Sequence, residues 1–163
     1  MLPFRILAVC LALALTAPPL SAQTTNLAFG AVKADPSLPV EVTADTLDVN
    51  QADGSALFKG NVLVAQGEMK LTAQQVLVFY GQDNRGIQRV EATGDVVLVN
   101  GPDAAQGDKA DYSIDTGVIV MTGNVLLTQG ANALTSEKMT VNLTSGTAQM
   151  VGRVKTVLNP KGD

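Results

Sequence analysis

The sequence predicts an all-β domain of stacked strands bent into a trough. Three observations predict it. Apolar and polar residues alternate over most of the chain from Val40 onward, a short glycine-centred segment recurs four times, and turn-forming clusters fall between the alternating runs. A period of two puts successive side chains on opposite faces of a strand, one dry and one wet. A repeat every 20–50 residues signals stacked supersecondary units that bury their apolar faces only against each other.

Taken in order, the chain opens with an address. Met1–Arg5 is short and positively charged, Ile6–Leu15 is an apolar run, and Thr16–Ala22 is a tail of mostly small residues with two prolines. That is the three-part pattern of a secretory signal, expected to be cut after Ala22, so that residues 1–22 leave. The run is too short for a transmembrane helix, which needs about 20 residues; a retained anchor is the alternative. Cys10, the one cysteine, lies inside the run behind Val9 rather than at its end behind a small residue. The mature chain is therefore expected to carry no thiol, disulfide or thiolate metal site. Residues 23–39 hold two prolines, few large apolar residues and no periodicity, and read as a flexible leader.

The domain proper is expected over 40–158, with 159–163 as a tail. Its alternating runs include Val40-Glu41-Val42-Thr43, Leu47-Asp48-Val49, Met69-Lys70-Leu71-Thr72, Tyr112-Ser113-Ile114 and Met139-Thr140-Val141-Asn142-Leu143. Between them stand Asp53-Gly54, Asp83-Asn84-Arg85-Gly86, Asn100-Gly101-Pro102, Asp115-Thr116-Gly117 and Thr144-Ser145-Gly146. These residues tolerate positive φ or bond their own backbone, as turns require. No stretch of the mature chain carries a capped stripe of helical period.

The repeat runs Phe58-Lys59-Gly60-Asn61-Val62, Ala92-Thr93-Gly94-Asp95-Val96, Met121-Thr122-Gly123-Asn124-Val125 and, more faintly, Met150-Val151-Gly152-Arg153-Val154, its glycines 34, 29 and 29 residues apart. Two copies continue alike, to Gln66-Gly67 and to Gln129-Gly130. Glycine inside a strand marks a bulge, a bend or a close backbone approach. The same glycine at the same place in each unit predicts a folding line along the whole molecule, apolar within and polar outside.

Composition narrows the function. Eleven basic side chains, one of them Arg5 in the signal, face fifteen acidic ones, and there is no His and no Trp. No basic tract interleaves with aromatics, so nucleic acid is not an expected partner. Without His the chain lacks the side chain best suited to proton transfer near neutral pH, and no Ser, Thr or carboxylate stands in an activating arrangement. No enzymatic activity and no cofactor are expected. Asp45 and Asp48, three apart, fall on opposite faces of a strand, a poor geometry for a shared acid–base pair. Asp108, Asp111 and Asp115 lack the spacing of a calcium loop. All read as solvated charges. Lys59, Lys70, Arg85, Arg89 and Lys138 read as solubilising charge, or as cations that meet phosphates or sugars at the rim.

The segment Phe58-Lys59-Gly60-Asn61-Val62-Leu63-Val64-Ala65-Gln66-Gly67, preceded by Ala44-Asp45-Thr46-Leu47-Asp48-Val49, resembles the LptA/OstA family of lipopolysaccharide-transport proteins, over about Val40 to Leu158. The resemblance implies an open β-jellyroll, a twisted V-shaped half-pipe that holds the acyl chains of lipid A. It implies a periplasmic bridge of such units between the inner and outer membranes. The implied partners are lipopolysaccharide, related β-jellyroll proteins of the inner- and outer-membrane complexes joined by edge-strand pairing, and further copies of the chain head to tail. It also places Val40, Val42, Val62, Val64, Met69, Leu71, Val76, Val78, Val96, Leu98, Tyr112, Ile114, Val125, Leu127, Met139, Val141 and Leu143 on the groove face. Burying one CH₂ is worth about 0.8 kcal/mol, so a lipid with several long chains needs a continuous apolar channel to cross water. The candidate edges are the first strand, about Val40–Ala44, and the last, about Val154–Leu158; the leader or the tail covering an edge is the alternative. Two rival readings are a membrane-anchored relative of the same system, and a structural or adhesive β-repeat protein with a closed, packed interior.

Overall fold

The computed structural model describes residues 25–28, 35, 37–81 and 86–158. The expected signal, the tail and most of the leader lie outside the described residues, as does the Asp83-Asn84-Arg85 part of one expected turn. Eleven strands follow in chain order: β1 (Thr25–Ala28), β2 (Glu41–Thr43), β3 (Thr46–Asn50), β4 (Ser55–Gln66), β5 (Met69–Tyr80), β6 (Ile87–Asn100), β7 (Asp103–Ser113), β8 (Val118–Gln129), β9 (Asn132–Asn142), β10 (Thr147–Val151) and β11 (Lys155–Val157). All ladders are antiparallel, and from β4 to β10 each strand pairs with the next. The sheet is open, because β2 and β3 at one end do not meet the strands at the other.

A crease crosses every long strand. At Gly60, Gly94, Gly123 and Gly152 the φ angle is between 77° and 86°, and the next residue, Asn61, Asp95, Asn124 or Arg153, is also left-handed at 41° to 48°. Glycine takes this region freely, and Asn and Asp accept it better than other side chains. Across the crease, each ladder from β4–β5 to β8–β9 slips its register. The four glycines picked out by the repeat are therefore the predicted folding line.

The crease divides the sheet into two walls. The first wall holds β3, residues 55–59, 75–80, 87–93, 109–113, 118–122 and 138–142, then β10 and β1. The second holds β2, residues 62–66, 69–73, 96–100, 103–107, 125–129 and 132–136, then β11. The register slip keeps the inner faces aligned. In β5 the inward set changes parity at the crease, from Leu71 and Ala73 to Val76 and Val78; in β7 it passes from Ala105 to Ala110 and Tyr112.

Each bend is clamped from the preceding neighbour strand. Asn61 Nδ2 donates to Asp45 Oδ2 at 2.8 Å, and Asn124 Nδ2 to Asp108 Oδ2 at 3.1 Å. Gln74 Nε2 donates to Asp95 Oδ2 at 2.5 Å, and Arg153 Nε to Glu137 Oε1 at 2.8 Å. The same side chains lie over the glycines: a Cβ at Gly60, Gly94, Gly123 or Gly152 would meet the Cβ of Asp45, Gln74, Asp108 or Glu137 at 2.8–3.0 Å. Asp45 and Asp108 are exposed, as the sequence predicts, but they hold the crease rather than merely face water.

The leader contains one strand that periodicity does not announce. β1 pairs with β10, from Thr25 against Met150 to Ala28 against Thr147. A free sheet edge pairs with any extended main chain, whatever its side chains.

Candidate functional site

Between the walls lies one continuous apolar interior. Val62, Val64, Met69, Leu71, Val76, Val78, Val96, Leu98, Tyr112, Val125, Leu127, Met139, Val141 and Leu143 are all buried in it, while Val40, Val42 and Ile114 are half-buried against it. Every residue that the sequence reading placed on the groove face shares this cluster. It also contains Val90, Ala92, Ala105, Ala110, Ile119, Met121, Leu134, Ala148 and Met150, which that reading left out. Ile119 and Met121 sit in the run Val118-Ile119-Val120-Met121, where both parities are apolar and alternation is silent. The alanines are too small to mark a face.

The walls close on one another. Val76, Val78, Val96, Leu98, Leu127, Met139 and Val141 have no exposed surface, so the interior is occupied by the protein's own side chains. At the mouth, opposite the crease, side-chain hydrogen bonds span the gap. Tyr112 of the first wall donates its hydroxyl to Gln66 Oε1 of the second at 2.7 Å, and each residue is 2% exposed. Gln66 Nε2 in turn donates to the Leu38 carbonyl at 2.9 Å. Burial pushes the Tyr112 phenol up to about 12, because a phenolate would lose its water. A second bond across the mouth runs from Gln129 Nε2 to the Ala28 carbonyl of β1, at 2.5 Å.

The ends differ from the middle. Leu47 and Val49 of β3 oppose Phe58 and Ala56 of β4, so they point to the inner face, yet they are 52% and 63% exposed because no strand among the described residues lies beyond them. Among the described residues no further strand pairs with β2 or β3 at this end, a longer edge than the expected Val40–Ala44 alone. At the other end β11 carries exposed Val157 on the second wall, while β1 covers β10 on the first. The expected C-terminal edge, about Val154–Leu158, corresponds to β11, and the leader strand pairs instead with β10.

The described cations sit outside, while the Asp103 carboxylate is buried at the mouth. Lys59 pairs with Asp48 at 2.8 Å, and Arg89 bridges Asp111 and Glu91 with its guanidinium 5.7 Å from the Phe79 ring. The Asp111 hydrogen bond holds the Arg89 guanidinium above its ordinary range. Lys70 and Lys138 are exposed beside inward-facing Met69 and Met139, and so point outward. These four cations therefore do not reach the inner rim, and Arg85 lies outside the described residues. Among the described residues no group of three His, Cys, Asp or Glu side chains could hold a metal ion.

Comparison with known proteins agrees with this architecture. The model of the family described as LptA/(LptD N-terminal domain) LPS transport protein matches residues 41–147. An uncharacterized protein of Rhizobium meliloti (strain 1021) is 31% identical over 107 residues, covering 61% of this chain and 58% of that protein. The LPS-assembly protein LptD of Yersinia enterocolitica (serotype O:8 / biotype 1B) is 45% identical over 69 residues, which are 40% of this chain and 9% of that protein. The chain thus spans little more than half of the first relative and about a tenth of the second. The crystal structure of LptH, the LptA homologous periplasmic component of the conserved lipopolysaccharide transport device from Pseudomonas aeruginosa, superposes with a TM-score of 0.70 at 21% identity. The match covers 78% of this chain and 99% of that one. At that identity the likeness is one of fold, and the fold is the open β-jellyroll that the sequence predicts.

Proposed function

This chain belongs to the family of LptA and LptD N-terminal domain LPS transport proteins, and from that premise we propose that it binds lipopolysaccharide in the periplasm and passes it toward the outer membrane, with the acyl chains of lipid A held between its walls. The observation that carries this reading is the unbroken apolar interior from β4 to β10, whose inward faces stay in register through the crease. Acyl chains enter by parting the walls. Valine and leucine side chains that faced each other then face methylene groups, so apolar contact is exchanged for apolar contact and little surface meets water. Each CH₂ that leaves water is worth about 0.8 kcal/mol, and the work of parting the walls is drawn from that gain. The role is one of binding and transfer, without catalysis or cofactor.

The ends supply the bridging half of the proposal. Free β2 and β3 edges with exposed Leu47 and Val49, facing a β11 edge on a second molecule, make a heterologous contact that extends rather than closes. The same pairing serves related jellyroll domains at the two membranes. Light scattering over a concentration series tests self-association; a chain that stays monomeric at millimolar levels contradicts it.

One observation favours a second reading. The closed interior is what a structural or adhesive β-repeat protein would have, with side chains that pack and never part. Delipidated protein incubated with lipopolysaccharide separates the two. Transport predicts binding and displacement of a hydrophobic probe, and the rival predicts neither.

A further inference from the structure

The repeated Gln-Gly dipeptides have a place in the fold that acyl-chain binding does not use. In the second wall, three hairpins end at the mouth, closed by Gln66 with Met69, Asn100 with Asp103, and Gln129 with Asn132. The residue before each turn is an amide followed by a glycine at φ 56° to 60°. By strand parity each amide points inward, in line with buried Val64, Leu98 and Leu127. Gln66 and Asn100 are 2% exposed and Asp103 8%. A buried amide is tolerated only when hydrogen-bonded, so these inward amides are polar groups held in place at the mouth of an otherwise apolar trough. Hairpins two strands apart set these amides roughly 9–10 Å from one another along the rim.

The row is largely held by its own wall. Gln129 Nε2 donates to Asp103 Oδ2 at 3.0 Å, across the ladder of the second wall. Gln66 Nε2 donates to the Leu38 carbonyl, and its carbonyl oxygen reaches across to Tyr112. When the walls part, the row stays in place and faces the opening with the Gln66 acceptor and the Gln129 donor that had crossed the gap. Its one charge is the Asp103 carboxylate, and it contains no Lys or Arg.

We propose that Gln66, Asn100 and Gln129 form a hydrogen-bonding track for the uncharged junction of an amphiphile, the amide, ester and hydroxyl groups where alkyl chains meet the head. The track rests on the reading that the trough takes alkyl chains, and adds orientation to it. The chains point to the crease, the junction lies along the second wall, and phosphates are left outside, away from Asp103.

Two probes with the same alkyl chain test it below their micelle concentrations, on the mature protein: N-dodecanoyl glucosamine, with an amide and hydroxyl head, and dodecyl phosphate. The sugar amide should bind about tenfold more tightly, and Asn100→Leu with Gln129→Leu should reduce that ratio to near one. If those variants fail to fold, side-chain amide resonances of the unaltered protein decide. Those of Gln66, Asn100 and Gln129 should shift with the sugar amide and not with the phosphate. Equal affinity for the two probes, or amide resonances that ignore the head, overturns the track and leaves the transport reading standing. Failure of both probes to bind the unaltered protein removes the transport reading beneath it.

Discussion

Replacing Tyr112 by Phe removes one oxygen from the mouth of the trough and nothing from its packing. In the closed form the hydroxyl is bonded to Gln66 Oε1 at 2.7 Å, with both side chains 2% exposed. Its loss removes one hydrogen bond between buried side chains, at a cost of about 0.5–1.5 kcal/mol. In the parted form water satisfies both groups, so that state is unchanged. The opening equilibrium should therefore rise, by roughly two- to tenfold, since about 1.4 kcal/mol is a factor of ten. Stopped-flow uptake of an environment-sensitive apolar dye should accelerate in Tyr112→Phe by up to that factor, and amide exchange along the hairpin tips should quicken with it. Equilibrium denaturation should show a loss of similar size. If the variant loses stability while dye uptake keeps its original rate, the walls do not part short of unfolding, and the closed interior is a core.

Three further outcomes are expected. Burial pushes the Tyr112 phenol up to about 12, against about 10 in the unfolded chain, so its contribution to stability is whole below pH 10 and is lost as pH rises toward 12, by about 2–3 kcal/mol at most; alkaline denaturation should be correspondingly flatter in Tyr112→Phe. Gly123→Ala places a Cβ 2.8 Å from that of Asp108 at a φ of +80°, and should destabilise by about 2–4 kcal/mol, from left-handed strain and the lost Asn124 bond; Gly130→Ala, at a φ of +56° with open space, should cost about 1 kcal/mol, and equal urea midpoints for the two refute the crease argument. Photo-crosslinkers at Val42, Val64 and Leu127 should capture lipopolysaccharide while those at Leu63 and Leu126 should not, and equal capture at both parities rules out the groove.

How much of this was legible in the sequence follows from the range of each interaction. Alternation and turn chemistry are local, and they marked stretches of β2, β3, β5, β7 and β9 and the turns at Gly54, Gly101, Gly117 and Gly146. The crease was legible through its glycines because a left-handed backbone is a demand made on one residue. Its second half was not: Asn61, Asp95, Asn124 and Arg153 look like ordinary polar residues until a neighbouring strand brings Asp45, Gln74, Asp108 and Glu137 beside them. The Tyr112–Gln66 bond joins residues 46 positions apart, and only the closure of two walls reveals it. The cations read as solubilising charge, Lys59, Lys70, Arg89 and Lys138, stand on the outer face, each one step along its strand from an inward side chain. β1 left no trace because main-chain pairing asks nothing of side-chain pattern.

The closed state and the proposed cargo belong to one design. An apolar trough this long, left open in water, would present a patch of the kind that drives association, so walls that fall together when empty keep the chain soluble. What then decides where the fold gives way is the strength of its two margins. At the crease every long strand runs covalently from wall to wall, and clamps at four successive bends hold the left-handed residues in place. Across the mouth run the Tyr112–Gln66 bond and the Gln129 bond to β1, with apolar contact between. Alkyl chains replace that apolar contact without exposing it, so the work left to the cargo is chiefly that of a few hydrogen bonds, which its own polar junction can restore. On this reading the crease is the hinge and the amide-lined mouth is the seam, and the lipid enters along the whole length of the trough rather than through one end.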